Sequence, residues 1–79
     1  MNFGQVLNLL INGAQVCRVG WNGKGMYLYL VKNWIVADDC LVASNYPHLP
    51  FIAIKTADNC VVPWFASQMD ILANDWMLV

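Results

Sequence analysis

Apolar residues at the start of the chain recur at the spacing of one helical face. They are Phe3, Val6, Leu7 and Leu10. Asn2, with Gln5 three residues later, forms a capping-box pattern in front of this repeat. Gly13 stands where helices commonly end in a left-handed residue. The pattern therefore predicts an amphipathic helix over residues 3–12.

Four later segments have the composition and alternation of β-strands. The predicted strands are Gln15 to Val19, Met26 to Lys32, Phe51 to Thr56 and Cys60 to Phe65. Asn22-Gly23 lies between the first two and Asp58-Asn59 between the last two, and both dipeptides favour hairpin turns. Pro63 has no amide hydrogen to donate, so the last of these strands is expected at a sheet edge or to end there.

The signals between residues 33 and 50 are weaker. Trp34 to Ala37 suits a short strand, whereas Asp38-Asp39 and Ser44 to Pro50 read as turn and loop.

Ser67 has the residue type of a helix N-cap, and Asp70 would lie favourably in the first turn of a short helix over Gln68 to Ala73. Asn74 to Val79 then forms either a frayed end or a small strand. Together the patterns predict an α+β fold, in which residues 1–79 form one domain. It has a small antiparallel sheet, an N-terminal helix and a short C-terminal helix.

The composition adds an expectation of self-association. Hydrophobic residues make up 59% of the 79 residues and charged residues 11%, against roughly 45–50% and 25% in an average soluble domain. A domain this short buries only about 60–65% of the surface of its unfolded chain. More apolar surface is present than one small core hides, and a homo-oligomer is the expected outcome.

Charge and cysteine content exclude several classes of partner. A net charge of −1 with four cations lacks the basic stripe that binds duplex nucleic acid. No apolar run approaches the roughly 20 residues of a membrane span, and no secretory signal precedes the first helix. Three cysteines without C-x-x-C spacing and one histidine argue against a metal site or a bound cofactor. The cysteines are expected to be buried thiols in a soluble, intracellular protein.

Catalytic candidates are few. The chain has one histidine and no glutamate, and His48 has no carboxylate near it in sequence to orient it as a base. Asp38-Asp39 suits a solvated turn, because adjacent side chains point apart. The sequence therefore predicts a protein that is not an enzyme.

Two segments have residues suited to binding. In the first, Gly23 and Gly25 would let backbone amides approach an anion, Lys24 adds a charge, and Trp21 offers a flat apolar face. The alternative for this segment is an ordinary hairpin turn with a packed tryptophan.

In the second segment, Trp64 ends a strand shortly before the helix start at Ser67 and Gln68, so that free amides, a hydroxyl and an aromatic ring converge. The alternative here is a tryptophan that anchors the core beside a routine cap. Trp34 and Trp76 are assigned to the core or an interface.

These motifs resemble a known family. The matching stretches are Met1-Asn2-Phe3-Gly4, Gly20-Trp21-Asn22-Gly23-Lys24-Gly25, Val62-Pro63-Trp64 with Ala66-Ser67-Gln68, and Asp70-Ile71-Leu72-Ala73. In this order they are similar to the small phage anti-Thoeris sponge proteins of the Thoeris anti-defence two family. The resemblance covers the chain from end to end, although residues 33–50 do not align clearly. The family usually has Asp-Gly in place of Asp58-Asn59, a mild change because Asn also tolerates positive φ.

The resemblance implies a homotetramer, with pockets between copies, in the cytoplasm of the host bacterium. There it would sequester a cyclic ADP-ribose signal of the glycocyclic type without cleaving it. Some relatives also take up cyclic oligonucleotides of the CBASS type. Carried onto this chain, the base would stack on Trp21 and Trp64, and the ribose and phosphate oxygens would meet the remaining site residues. These are Asn22, Gly23, Lys24, Ser67 and Gln68. A structural or protein-interaction module of phage origin is the alternative function.

Overall fold

The computed structural model describes residues 1–21, 24–33 and 48–79. Within these ranges the chain forms two α-helices, a short 3-10 helix at Val19–Trp21 and five strands. The elements are α1 (Phe3–Ile11), β1 (Val16–Arg18), β2 (Tyr27–Val31), β3 (Phe51–Lys55), β4 (Val61–Pro63), α2 (Gln68–Leu72) and β5 (Trp76–Leu78). The predicted α+β class is confirmed.

The described strands form one antiparallel sheet in the order β4-β3-β2-β1-β5. Its longest ladder joins β2 to β3, from Tyr27 opposite Lys55 to Val31 opposite Phe51. Among the described strands, β4 lies at one edge, which confirms within that part of the chain the predicted edge position of Pro63. The C-terminal segment forms a strand rather than a frayed end, and it pairs with β1 at the other edge, with Cys17 opposite Met77.

The predicted helix caps and one predicted turn are confirmed. The Asn2 side chain accepts a hydrogen bond from the Gln5 amide, and the Gln5 side chain accepts one from the Asn2 amide, each at 2.9 Å. Gly13 has a φ of +95° just beyond the helix. The Ser67 hydroxyl accepts from the Asp70 amide at 3.1 Å. Asn59 adopts a φ of +64° in the turn between β3 and β4.

The core lies between α1 and one face of the sheet. Its buried residues come from four elements and are Val6, Leu10, Val16, Leu28 and Trp76. Because strand side chains alternate between faces, Cys17, Tyr27 and Met77 lie on the opposite face. Small antiparallel sheets are commonly stabilised in this way, by packing one face against a helix.

Three expectations from the sequence are wrong. Val19 is not in a strand, because the chain turns into the 3-10 helix after Arg18. Strand β4 stops at Pro63, and Phe65, expected in it, is 90% exposed beyond its end. Cys17 is buried as predicted, whereas Cys60 is exposed because it closes the turn at Thr56 through its backbone.

Several predictions fall outside the described residues. These are the Asn22-Gly23 turn, the strand at Trp34 to Ala37, the Asp38-Asp39 turn, most of the loop from Ser44 to Pro50, and Cys40. Among the described helices, none has the length and apolar character needed to cross a membrane.

Candidate functional site

Trp76 is the centre of an aromatic cluster that includes both tryptophans of the predicted site. Its ring lies 5.4 Å from Trp21 and 6.1 Å from Trp64, measured between centroids, and both pairs are edge-to-face. Phe3 lies 5.5 Å from Trp76 and 5.7 Å from Trp64. The fold therefore brings Trp21 and Trp64, which are distant in sequence, against one buried ring within a single copy of the chain.

Trp21 and Trp64 are each only half-buried, so each ring combines a core contact with a solvent-facing part. The sequence left open whether each tryptophan binds a ligand or packs in the core. Both indoles help to anchor the core, and both keep exposed surface. An exposed aromatic surface of this kind is what a nucleobase requires for stacking.

Trp21 also lines a partly open cavity of about 130 Å³ at the end of the sheet. Cys17, Met26, Tyr27 and Met77 form most of the remaining apolar wall. Burial raises the pKa of the Cys17 thiol, which keeps this wall uncharged. The cavity is small compared with the roughly 300–1,000 Å³ of typical ligand pockets.

The start of α2 carries the second half of the predicted site. Ser67 and Gln68 are exposed, and the Ser67 oxygen is used as the helix cap. Its hydroxyl hydrogen can still be donated to another acceptor. The Trp64 amide donates to the carbonyl of Ile52 at 2.9 Å, which fixes the approach to this helix onto β3.

The glycine-rich segment is described from Lys24 onward, and Asn22 and Gly23 lie outside the described residues. Lys24 is exposed, and its amide donates to the Trp21 carbonyl at 3.0 Å. Gly25 has a φ of +70°, which favours glycine, and its carbonyl accepts from the Lys55 ammonium group at 2.7 Å. Lys55 thereby ties β3 to the segment that carries Lys24.

Arg18 connects the segments that carry the two halves of the site. Its guanidinium group donates to Asp70 on α2 at 2.9 Å and to Asp75 just before β5 at 2.8 Å. Trp76 adds a third tie, because its indole nitrogen donates to the Asp70 carbonyl at 2.9 Å. Sequence reasoning noted Asp70 only as a first-turn residue and missed this ion-pair cluster, since nothing local marks its partners.

Comparison with known proteins identifies a family that covers the whole chain. A family model described as the Thoeris anti-defense 2-like domain matches residues 1–79. The chain belongs to this family. The protein named Thoeris anti-defense 2 from Bacillus phage SP01 is 44% identical over 84 aligned positions, which cover 100% of this chain and 94% of the relative.

Membership in the Thoeris anti-defense 2-like family confirms the resemblance inferred from the motifs. In the described part of the chain, Lys24, Ser67 and Gln68 are exposed, and the half-buried Trp21 and Trp64 pack against the core cluster. It contains no group of three or more histidine, cysteine, aspartate or glutamate residues placed to hold a metal ion. Aromatic surface, amides, a hydroxyl and an ammonium group are suited to binding a nucleotide-like molecule.

The Arg18–Asp75 ion pair makes the free energy of unfolding depend on pH. Hydrogen bonding and attraction to Arg18 lower the pKa of the Asp75 carboxyl below its ordinary value. The contribution of the pair is therefore complete above the unfolded-state pKa of about 4 and is lost as the pH falls through the lower folded-state pKa.

We expect the melting temperature of Asp75→Asn to fall less steeply than that of the parent protein between about pH 4 and pH 2, because one proton-linked group is removed. Melting monitored by circular dichroism across this range measures both slopes. Identical slopes for Asp75→Asn and the parent protein would contradict this assignment.

Proposed function

We propose that this protein counters Thoeris defence by binding a cyclic ADP-ribose-type signalling nucleotide and holding it intact. Support comes from membership in the Thoeris anti-defense 2-like family over the whole chain, and from the 44% identity to the phage protein Thoeris anti-defense 2. The observation that carries the proposal is the pair of half-buried indoles, Trp21 and Trp64, held against Trp76. In a bacterial cytoplasm the bound signal would no longer reach its effector.

In this proposal the nucleobase stacks on the exposed parts of Trp21 and Trp64. Stacking on an aromatic side chain contributes about 1–3 kcal/mol per base. Ribose and phosphate oxygens meet Lys24, Ser67 and Gln68, together with Asn22 and Gly23. Because the chain has only four cations, neutral hydrogen bonds and stacking supply much of the affinity for a charged ligand.

The complete pocket in this proposal lies between copies of a homotetramer. The cavity beside Trp21 is about 130 Å³, which is too small to enclose a nucleotide. The polar residues at the start of α2 are exposed and therefore free to face another copy. A pocket formed between two copies could be large enough to enclose a nucleotide, although the cavity within one copy is not.

A protein-interaction module is the second candidate function. The observation favouring it is the exposed apolar surface of Phe65, Met69 and Leu72, since such surface commonly marks a binding face. The two functions differ in their response to nucleotides, because only a sponge is stabilised by the free signal.

A thermal-shift panel separates the two candidates. At a free ligand concentration of about 100 times Kd, binding to the folded state adds about 2.7 kcal/mol of stability. For a domain of this size that corresponds to a rise of roughly 10–20 °C in melting temperature. The panel should contain cyclic ADP-ribose isomers, linear ADP-ribose, NAD⁺ and cyclic oligonucleotides. No shift with any of them would contradict the sponge proposal and favour the interaction module.

Lys24→Ala should reduce the shift without affecting the fold, because Lys24 is exposed and uses only its backbone within the described structure. Loss of one exposed charge contact of about 0.5–1 kcal/mol lowers the shift by roughly 2–8 °C. Lys32→Ala, which replaces an exposed lysine just beyond the end of β2, is the matched control. Equal shifts for the two variants would remove Lys24 from the site.

A further inference from the structure

Gly25 is the residue with the greatest conformational freedom next to Lys24. It lies between the exposed Lys24 and Met26, just before strand β2. Its φ of +70° is one of several conformations that a glycine adopts readily, because it has no side chain. Unless another group fixes its peptide, a glycine at this point allows Lys24 to point in many directions.

Lys55 supplies a group that fixes this peptide. Its ammonium nitrogen donates to the Gly25 carbonyl at 2.7 Å, across 30 residues of sequence. A hydrogen bond with a charged donor is roughly twice as strong as a neutral one. Because the peptide group is planar, holding the Gly25 carbonyl also fixes the orientation of the Met26 amide. On the other side, the Lys24 amide donates to the Trp21 carbonyl at 3.0 Å, so Lys24 lies between two fixed peptide groups.

The sheet in turn holds Lys55 in place. Lys55 is the last residue of β3 and lies directly opposite Tyr27 in the longest ladder. Its ammonium nitrogen lies 5.7 Å from the centre of the Tyr27 ring, within the range of a cation–π contact, and also donates to the Thr56 carbonyl at 3.4 Å. Two carbonyls and a ring thus surround a group that has three donor hydrogens. These contacts suit Lys55 to fixing its own chain rather than to binding a phosphate.

We infer that Lys55 is a positioning residue for the nucleotide site, which directs Lys24 toward the ligand by holding the Gly25 carbonyl and does not contact the ligand itself. This inference rests on the proposed function. A segment that is ordered before the ligand arrives loses less conformational entropy on binding. Lys55 therefore contributes to affinity through the placement of Lys24.

Lys55→Met tests the ordering of the segment without any ligand, because methionine keeps an unbranched apolar side chain and loses the ammonium group. Backbone amide order parameters of Gly25 and Met26, measured by NMR relaxation, should be near about 0.85 in the parent protein and fall toward about 0.6 in this variant. Those of α1 should not change. Lys32→Met, the same substitution just beyond the end of β2, is the control and should keep the parent values. Parent values in Lys55→Met, or low values in the parent protein itself, would overturn the inference.

Nucleotide affinity separates positioning from a purely structural role. Calorimetric titration with a cyclic ADP-ribose isomer, well below the melting temperature of each variant, gives dissociation constants that refer to folded protein. We expect Lys55→Met to weaken binding by roughly 2- to 5-fold, the effect of one lost exposed charge contact. Lys32→Met should bind as the parent protein does. A dissociation constant for Lys55→Met equal to that of the parent protein would show a structural contact only.

A double-mutant cycle with Lys24→Ala separates positioning from direct contact with the ligand. If Lys55 acts through Lys24, the double variant should bind as tightly as either single variant, because the contact of Lys24 is already lost. If Lys55 contacted the ligand itself, the two losses would multiply to roughly 4- to 25-fold. Such multiplication would rule out the positioning role.

The two kinds of measurement distinguish failure of this inference from failure of the proposed function. If the parent protein bound nucleotide, and Lys55→Met kept both the order parameters and the affinity of the parent, the inference would fail and the sponge function would stand. If the parent protein bound no nucleotide while Lys55→Met lost the order of Gly25 and Met26, the sponge function and the role of Lys55 in binding would both fail. Only the ordering contact would then stand.

Discussion

Replacement of Trp76 by alanine is expected to lower the free energy of unfolding by about 4–6 kcal/mol. Trp76 is 2% exposed and is the common partner of Trp21, Trp64 and Phe3. Truncation of a buried tryptophan costs about 3–5 kcal/mol through lost burial and the cavity left behind. A domain of this length is stable by only about 4–12 kcal/mol in total. Loss of the hydrogen bond from its indole to the Asp70 carbonyl adds about 1 kcal/mol.

Urea denaturation followed by far-ultraviolet circular dichroism measures this effect, at one fixed protein concentration because assembly contributes to stability. Trp76→Phe is the matched variant, since it keeps an aromatic ring in the cluster and loses the indole hydrogen bond. It should fall between the parent protein and Trp76→Ala. A denaturation midpoint for Trp76→Ala equal to that of the parent protein would show that Trp76 does not organise the core.

Trp21→Ala is expected to weaken nucleotide binding by roughly 5- to 150-fold, which corresponds to the loss of one stacking contact of about 1–3 kcal/mol. The half-buried ring also contacts Trp76, so the variant will be less stable as well as weaker in binding. Isothermal titration calorimetry well below the melting temperature of the variant separates the two effects. The dissociation constant there refers to folded protein.

Trp21→Phe provides the control for this substitution. A phenylalanine keeps an aromatic face for the base and an apolar contact with Trp76, so most of the affinity should return. If Trp21→Ala bound nucleotide as tightly as the parent protein, the ring would have a structural role only. The hairpin alternative for the Trp21 segment would then be correct.

Features governed by neighbouring residues were predictable from the sequence. The capping box of Asn2 and Gln5 places a side-chain acceptor next to its own free amide, so the start of α1 follows from residues three apart. The same holds for Ser67 with Asp70 at the start of α2. Asn59, a residue type that tolerates positive φ, marked the turn before β4. In each case the decisive interaction spans only a few residues.

Features that depend on distant partners were not predictable. Arg18 binds Asp70 and Asp75 across 52 and 57 residues, and no local pattern links them. The pairing of β5 with β1 likewise joins residues that are far apart in sequence, since Trp76 lies opposite Arg18. Trp21 and Trp64 were both singled out, but their common contact with Trp76 required the fold. The sequence could likewise suggest two binding segments without indicating that one buried ring supports both.

The most direct test of the central claim is the fate of the signal after binding. The protein should be mixed with a limiting amount of the cyclic ADP-ribose-type signal made by a Thoeris TIR enzyme, separated from free ligand, and then heat-denatured. Mass spectrometry of the released material should recover the signal unaltered and in an amount that matches what was bound. Recovery of a cleaved product, or no retention of the signal by the protein, would contradict a sponge that binds and holds it.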